Sequence, residues 1–345
     1  MGEVIAMKLN KEQLGKMIHN VLSYDYDEED RLHFRRFTEF QLNSYEKESN
    51  DYLLRANTSA GVTFDFVTDS EYMVLDLDMY AGSESWSNFD LYVDGIYTAQ
   101  KKFTNTCQRL VSFSLPQGCH RITLYFPWSI EVVLNAVYLS DGASISEVSK
   151  RAKAIIVGDS ITQGYITEYT SLTYANQVAR EMDIELVNQG VGGYYFGSDS
   201  IDESLVSYDP NFIIIAYGTN DYSRYDTREE FNSHVLSYIE KLTSLFPNTK
   251  MLAILPIYRN DENHQSREKY RDYTLDDAKQ ILLDVYAQYD NIHVLKETGI
   301  PHIPEVFAED YLHPNELGFT LMAKSIEDAI SSAFDIATVS NPSFS

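Results

Sequence analysis

The chain has 345 residues, with 27 basic and 52 acidic side chains and a formal net charge of −25. That balance argues against nucleic acid, a polyphosphate partner that needs Lys and Arg to displace its counterions, and it disfavours anionic membrane surfaces for the same reason. With 16 glycines and 9 prolines the chain is neither collagen-like nor low-complexity, and its length suits one large domain or two ordinary ones.

The first residues, 1–22, carry only short apolar stretches, too brief for the ~7–15 residue core of a secretion signal. No run approaches the ~18 apolar residues of a membrane span. Cys107 and Cys119 flank a strand pattern at opposite ends, where a hairpin would not bring them face to face. Two free thiols in a reducing, cytoplasmic setting are expected. The acidic run Asp25, Asp27, Glu28, Glu29 and Asp30 lacks the glycine and glutamate of a calcium loop and reads as a solvated segment.

After an introductory, partly helical segment the chain turns to β. Val62, Phe64 and Phe66 alternate with polar partners, as do Leu75, Leu77 and Met79, then Phe89, Leu91 and Val93. Asp94-Gly95 supplies a tight turn, and Val111, Phe113 and Leu115 pair in pattern with Ile122, Leu124 and Phe126 across Pro116-Gln117-Gly118. Short alternating strands of this kind predict a β-sandwich ending near Leu139.

From Ala154 the rhythm changes. Ala154–Val157, Phe212–Tyr217 and Met251–Ile257 are continuous apolar runs, typical of parallel strands covered on both faces. Thr227-x-x-Glu230 reads as a capping box ahead of Phe231, Val235, Ile239, Leu242 and Phe246 at helical spacing. Leu275, Ile281, Leu282, Val285 and Tyr289 mark another helix, and Leu317, Leu321, Ile326 and Ile330 the last. Alternating βα units predict a doubly wound α/β domain. The expected division is 1–150 for the β part, 151–337 for the α/β part and 338–345 for a tail, with a polar boundary over 140–153.

Four pieces of the α/β half carry polar chemistry at strand ends, where such folds hold their ligands. Gly158-Asp159-Ser160 follows the first strand; the serine is a nucleophile or an ordinary helix cap. Asn188-Gln189-Gly190-Val191-Gly192-Gly193 follows the second, exposing backbone N–H groups or simply giving a flexible loop; neither a phosphate loop nor a dinucleotide fingerprint is complete. Gly218-Thr219-Asn220-Asp221 ends the third, with an amide suited either to a turn or to an oxyanion. Asp310-Tyr311-Leu312-His313 precedes the last helix; alone, its histidine could be structural.

Together and in this order the four pieces resemble the blocks of the SGNH hydrolases, also called GDSL esterases, over about residues 150–335. The resemblance implies a flavodoxin-like α/β/α hydrolase domain working through an acyl-enzyme. It implies Ser160 as nucleophile, His313 as base and Asp310 as its orienting carboxylate. It implies the Ser160 N–H, the Gly193 N–H and the Asn220 side chain as oxyanion donors. The amino-terminal half resembles, more loosely, the jelly-roll domain of two-domain carbohydrate esterases, an accessory or carbohydrate-binding domain. Trp86 and Trp128 could stack on sugars there or be packed inside. Tyr194, Tyr195, Tyr222 and Tyr225 are expected to line an acyl or sugar pocket.

The expected substrate is a small acyl ester, foremost an acetylated oligosaccharide. Longer-chain ester or thioester hydrolysis and acyl transfer are the alternatives, and a carbohydrate-binding protein with an inert hydrolase domain is the non-enzymatic one. No metal or other cofactor is implied, since no His-x-x-x-His or Cys-x-x-Cys spacing occurs.

Overall fold

The computed structural model describes residues 6–261, 264–265, 268–334, 336 and 338. Most of the expected tail, 339–345, therefore lies outside the described residues. Two compact units emerge: residues 1–36, 54–150 and 168–171 in one, residues 37–53, 151–167 and 172–345 in the other. The expectation assigned all of 1–150 to the β part. Residues 37–53 instead count with the α/β unit, and 168–171 with the β unit.

The β unit begins with β1 (Ala6–Lys8), α1 (Lys11–Gly15), β2 (Ile18–His19), β3 (Ser23–Tyr26) and β4 (Leu32–Arg35). After α2 (Glu39–Glu48) and α3 (Asn50–Ala56) come β5 (Thr63–Thr68), β6 (Tyr72–Ala81), β7 (Ser87–Val93), β8 (Ile96–Phe103), β9 (Leu110–Ser114), β10 (His120–Tyr125), β11 (Ile130–Ser140) and β12 (Ile145–Glu147). They form two antiparallel sheets of six strands, ordered β3-β4-β11-β6-β9 with β1 on β11, and β12-β5-β10-β7-β8 with β2 on β5. The alternating residues read from the sequence do the packing. Phe64, Phe66, Leu75, Leu77, Phe89, Leu91, Val111, Phe113, Ile122, Leu124 and Phe126 all lie in one buried cluster drawn from both sheets. Asp94 and Gly95, at φ 51° and 79°, make the two-residue turn between β7 and β8, since two successive positive φ values match the twist of a hairpin. Cys107 and Cys119 are exposed and free.

The α/β unit carries β13 (Lys153–Gly158), α4 (Ser160–Gln163), α5 (Tyr174–Met182), β14 (Glu185–Gly190), β15 (Phe212–Ala216), α6 (Thr219–Arg224), α7 (Arg228–Leu245), β16 (Lys250–Ile254), α8 (Leu275–Tyr286), β17 (Ile292–Leu295) and α9 (Glu316–Phe334). Its five strands are all parallel, in the order β14-β13-β15-β16-β17. This is the 2-1-3-4-5 order of a flavodoxin-like sheet. Ala154, Ile156, Ile214, Leu252 and Ile254 face one way and join Val178, Met182, Phe319, Met322 and Ile326 of α5 and α9 in a single core. Their neighbours Ile155, Val157, Ile213, Ile215 and Met251 point to the opposite face and are equally buried.

Helix ends depart from expectation in instructive ways. The Thr227 hydroxyl accepts the Glu230 N–H at 3.3 Å, but the Glu230 carboxylate takes the Thr227 hydroxyl proton rather than its backbone N–H. The reciprocal box is therefore only half made there. It is complete at α8, where Thr274 and Asp277 serve each other. On α9, Leu317 is exposed while Gly318, Phe319 and Met322 turn inward, so the buried stripe runs one residue later than the leucine spacing suggests.

Candidate active site

β13 lies between β14 and β15, so the loops leaving the carboxyl ends of these three strands are neighbours. Parallel pairing aligns Gly158 with Gly190 on one side and with Ala216 on the other. Three of the four polar pieces read from the sequence thus leave adjacent strands. At Gly190 a side chain has no room, because a Cβ would strike the Gln163 backbone of α4. The Asn188 amide donates to the Thr162 carbonyl at 2.8 Å, tying the second loop to the first.

Ser160 opens α4. Asp159 caps that helix, its carboxylate accepting the Ile161 N–H at 2.9 Å. The Ser160 N–H falls in the first turn, where helical N–H groups have no partner within the helix, and it donates to none of the described residues. The same holds for the Gly193 N–H, in a residue at φ +79°.

The fourth piece arrives from the loop ahead of α9. Asp310 folds an Asx turn, its Oδ1 accepting the Leu312 and His313 N–H groups at 3.1 and 3.0 Å. Tyr311 takes a positive φ of 52°, an uncommon conformation for a residue with a side chain, and this sharp reversal returns His313 toward its own aspartate. His313 Nδ1 lies 2.6 Å from Asp310 Oδ2, and His313 Nε2 lies 2.7 Å from Ser160 Oγ. An ionised carboxylate only accepts, so Nδ1 carries the proton and Nε2 is free to accept from the serine hydroxyl. Burial alone would raise the Asp310 carboxyl, but its hydrogen bonds and the imidazole charge outweigh that and hold it below the usual range. Ser160 and His313 are both buried.

Asn220, at the start of α6, sends its amide to the Tyr194 carbonyl at 2.9 Å, beside Gly193. Asp221 is wholly buried and accepts the Phe196 N–H at 2.9 Å and the Gly218 N–H at 3.1 Å. It therefore links the second and third loops. Burial, with the nearby Asp159 charge, pushes its carboxyl up to about 7 against the pull of these hydrogen bonds. Arg259 is buried as well, held bidentately by Asp261 at 2.7 and 2.8 Å. It donates to the Thr219 carbonyl and the Ser223 hydroxyl, securing α6 from below.

Of the four tyrosines expected in a substrate pocket, three are buried. Tyr194 and Tyr222 are among the largest fully buried side chains, and Tyr225 is buried too, stacked 4.3 Å from the His234 ring. Their spacing after the glycine loop and after Asn220 turns them into the core, so they support the loops rather than line them. Only Tyr195 is half-exposed, and its hydroxyl is committed to Glu48 at 2.8 Å. In the β unit Trp128 is packed inside, edge-on to Trp86 at 5.5 Å.

Tyr165 went unread in the sequence. It follows Gly164, the left-handed C-cap of α4, and stacks on His313 with ring centroids 5.4 Å apart. Only its place five residues after the serine could have signalled it. Among the described residues no group of three or more His, Cys, Asp or Glu could hold a metal ion, and no helix is long and apolar enough to cross a membrane.

Residues 156–321 match the family model described as the GDSL-like Lipase/Acylhydrolase family. In fold, the chain is similar to a salicylyl-acyltransferase from a tetracycline biosynthetic pathway, with a TM-score of 0.79 and 18% identity over 92% of this chain and 95% of that one. It is also similar to a family two carbohydrate esterase from Clostridium thermocellum in complex with cellohexaose (TM-score 0.62, 15% identity, 80% of this chain and 93% of that one). An acetyl xylan esterase from the rumen bacterium Butyrivibrio proteoclasticus gives a TM-score of 0.60 at 14% identity, over 95% and 98% of the two chains. No curated protein matches the sequence.

Proposed function

We propose, from the match of residues 156–321 to the GDSL-like lipase/acylhydrolase family model, that the protein is a serine esterase with Ser160, His313 and Asp310 as its catalytic triad. The observation that carries this reading is the unbroken chain of two short hydrogen bonds from Ser160 Oγ through His313 to Asp310. His313 Nε2 takes the hydroxyl proton as Ser160 Oγ attacks the ester carbonyl. Asp310 accepts from Nδ1, holds the tautomer and stabilises the imidazolium. The tetrahedral oxyanion is received by the Ser160 and Gly193 N–H groups and by the Asn220 amide. The imidazolium then returns its proton to the leaving alkoxide, and water repeats the sequence on the acyl-enzyme to release the acid.

For the substrate we propose an O-acetyl ester of a small carbohydrate. The fold similarity to enzymes named as carbohydrate and acetyl xylan esterases supports this choice. The two-sheet β unit is assigned a jelly-roll-like accessory role in holding carbohydrate. The test is release of acetate from acetylated oligosaccharides by the intact protein, with Ser160→Ala as its blank. No acetate released beyond the blank would remove the carbohydrate reading while leaving the triad in place. A second reading is acyl transfer, supported by the fold similarity to a salicylyl-acyltransferase. It predicts that an added alcohol diverts the acyl group from water, measured as the ratio of new ester to free acid.

A further inference from the structure

Residues 37–53 interrupt the β unit's sequence yet belong to the α/β unit. This segment, α2 and the start of α3, holds the stretch 188–199 at successive points. Gln41 and Gln189 exchange two amide hydrogen bonds, at 3.3 and 3.1 Å, and both side chains are buried. The Ser44 hydroxyl donates to the Asp199 carbonyl at 3.1 Å. Tyr45 meets the Tyr194 ring edge-on, with centroids 4.7 Å apart. Glu48 receives the Tyr195 hydroxyl at 2.8 Å and the Arg224 guanidinium at 3.1 Å. Finally Tyr52 packs edge-on against Tyr194 at 5.2 Å and donates its hydroxyl to the Gly193 carbonyl at 3.2 Å.

The last contact bears on chemistry. Gly193 is at φ +79°, and a glycine can rotate its flanking peptides more freely than any other residue. Its N–H belongs to the peptide before it and its carbonyl to the peptide after it, so the loop keeps one N–H direction only if both peptides are held. One peptide further back, the Gly192 N–H donates to Gln163 Oε1 at 2.8 Å and anchors the loop ahead of Gly193. The following side is tied by the Tyr52 hydroxyl and by Asn220, whose amide reaches the next carbonyl, that of Tyr194. An oxyanion donor lowers the barrier by being aimed before the charge forms, so freedom at this glycine is lost catalysis.

We infer that Tyr52 is a positioning residue for the oxyanion hole, clamping the Gly193 carbonyl from a helix 141 residues away in sequence. The inference rests on the serine-esterase reading above. It also assigns a purpose to the exchange of residues 37–53 into the α/β unit: one of the ties on the loop around Gly193 comes from outside the segment that carries the motifs.

The experiment is Tyr52→Phe in the full chain, which keeps the ring packed on Tyr194 and deletes only the hydroxyl. With a short-chain aryl ester as probe, kcat should fall about tenfold, less than the ~10²–10³ lost when a whole oxyanion donor is removed. KM should stay within about twofold and the thermal midpoint within about 2 °C, because the hydroxyl's proposed effect is on the transition state rather than on folding. Ser44→Ala, which deletes another contact of the same segment, should leave kcat unchanged. A Tyr52→Phe protein with kcat within twofold of wild type overturns the inference, whether or not its midpoint falls. Ser160→Ala measured beside it separates the two levels of the argument. Turnover surviving in Ser160→Ala defeats the esterase reading itself, whereas a dead Ser160→Ala with a fully active Tyr52→Phe defeats only the clamp.

Discussion

The Tyr165 ring lies nearly parallel to the His313 imidazole, 22° between planes with centroids 5.4 Å apart. The same tyrosine fills the space that a Cβ at Gly192 would need, so it touches His313 on one side and the glycine loop on the other. Stacking restrains the imidazole in the plane that both of its hydrogen bonds require. Tyr165→Ala should therefore lower kcat by about tenfold through a misaligned base, whereas Tyr165→Phe should retain most of it. Equal kcat in Tyr165→Ala and wild type would assign the ring to packing alone.

Loss of the proposed nucleophile should be absolute and loss of a proposed oxyanion donor partial. Ser160→Ala removes one hydroxyl from a helix start and should abolish turnover with the fold intact by circular dichroism. Asn220→Ala removes the proposed oxyanion donor together with the tether to the Tyr194 carbonyl, and should cost kcat at least the ~10²–10³ typical of one donor. Steady-state kinetics on a single ester reads both.

His313 and Asp310, the proposed base and its carboxylate, should behave as a unit. His313→Ala should be as damaging as Ser160→Ala, and the double variant no worse than either, because each removes the same proton transfer. Asp310→Asn should be less damaging than His313→Ala, since an imidazole remains, unless the amide locks that ring in the wrong tautomer. A strictly multiplicative effect in the Ser160/His313 double variant would contradict the shared proton path.

Asp159 makes a pH prediction about stability. Burial raises its carboxyl from 3.8 to about 6, against the opposing pull of the Ile161 N–H and the His313 and Arg259 charges. Between those values the folded protein keeps the proton and the unfolded chain has lost it, so stability falls as pH rises through this window. At ~1.4 kcal/mol for each pKa unit, the contribution lost is roughly 3 kcal/mol. Asp159→Asn keeps an equally good helix cap and cannot titrate. Denaturant unfolding at pH 4 and pH 7 should show wild type losing more stability than the variant; parallel losses would refute the assignment.

Acyl-chain preference tests the substrate proposal. A site for acetyl groups should show kcat/KM falling steeply from acetyl to butyryl to octanoyl esters, since added methylenes find no matching surface. Acetylated oligosaccharides should exceed aryl acetates in kcat/KM, because contacts to the sugar can be used in the transition state. Octanoyl preference with no acetate released from any sugar would turn the reading to long-chain acyl esters or thioesters.

Much of this architecture was legible in one dimension. Alternation at Phe64 and Phe66 or Phe89 and Leu91, and unbroken runs such as Ile213–Ile215, report how many faces of a strand are covered, a property local to the strand. The motif residues were singled out by their resemblance to the SGNH blocks, each piece being ambiguous alone; the structure places Ser160, Gly193 and Asn220 after strand ends and Asp310 and His313 in one turn. Periodicity does not say what a face packs against. For that reason Tyr194, Tyr222 and Tyr225 read as pocket residues yet are buried, and Leu317 read as core yet is exposed. Nor could any local pattern place α2 beside the glycine loop: Gln41 and Gln189 are separated by 148 residues, as ordinary in sequence as any two glutamines. Sequence by itself determined the strands with clear alternation or unbroken apolar runs, some of the turns and the chemical types at their ends. Tertiary structure alone decided which surfaces meet, because burial and hydrogen bonding between distant segments depend on where the chain returns, and that is a property of the whole fold.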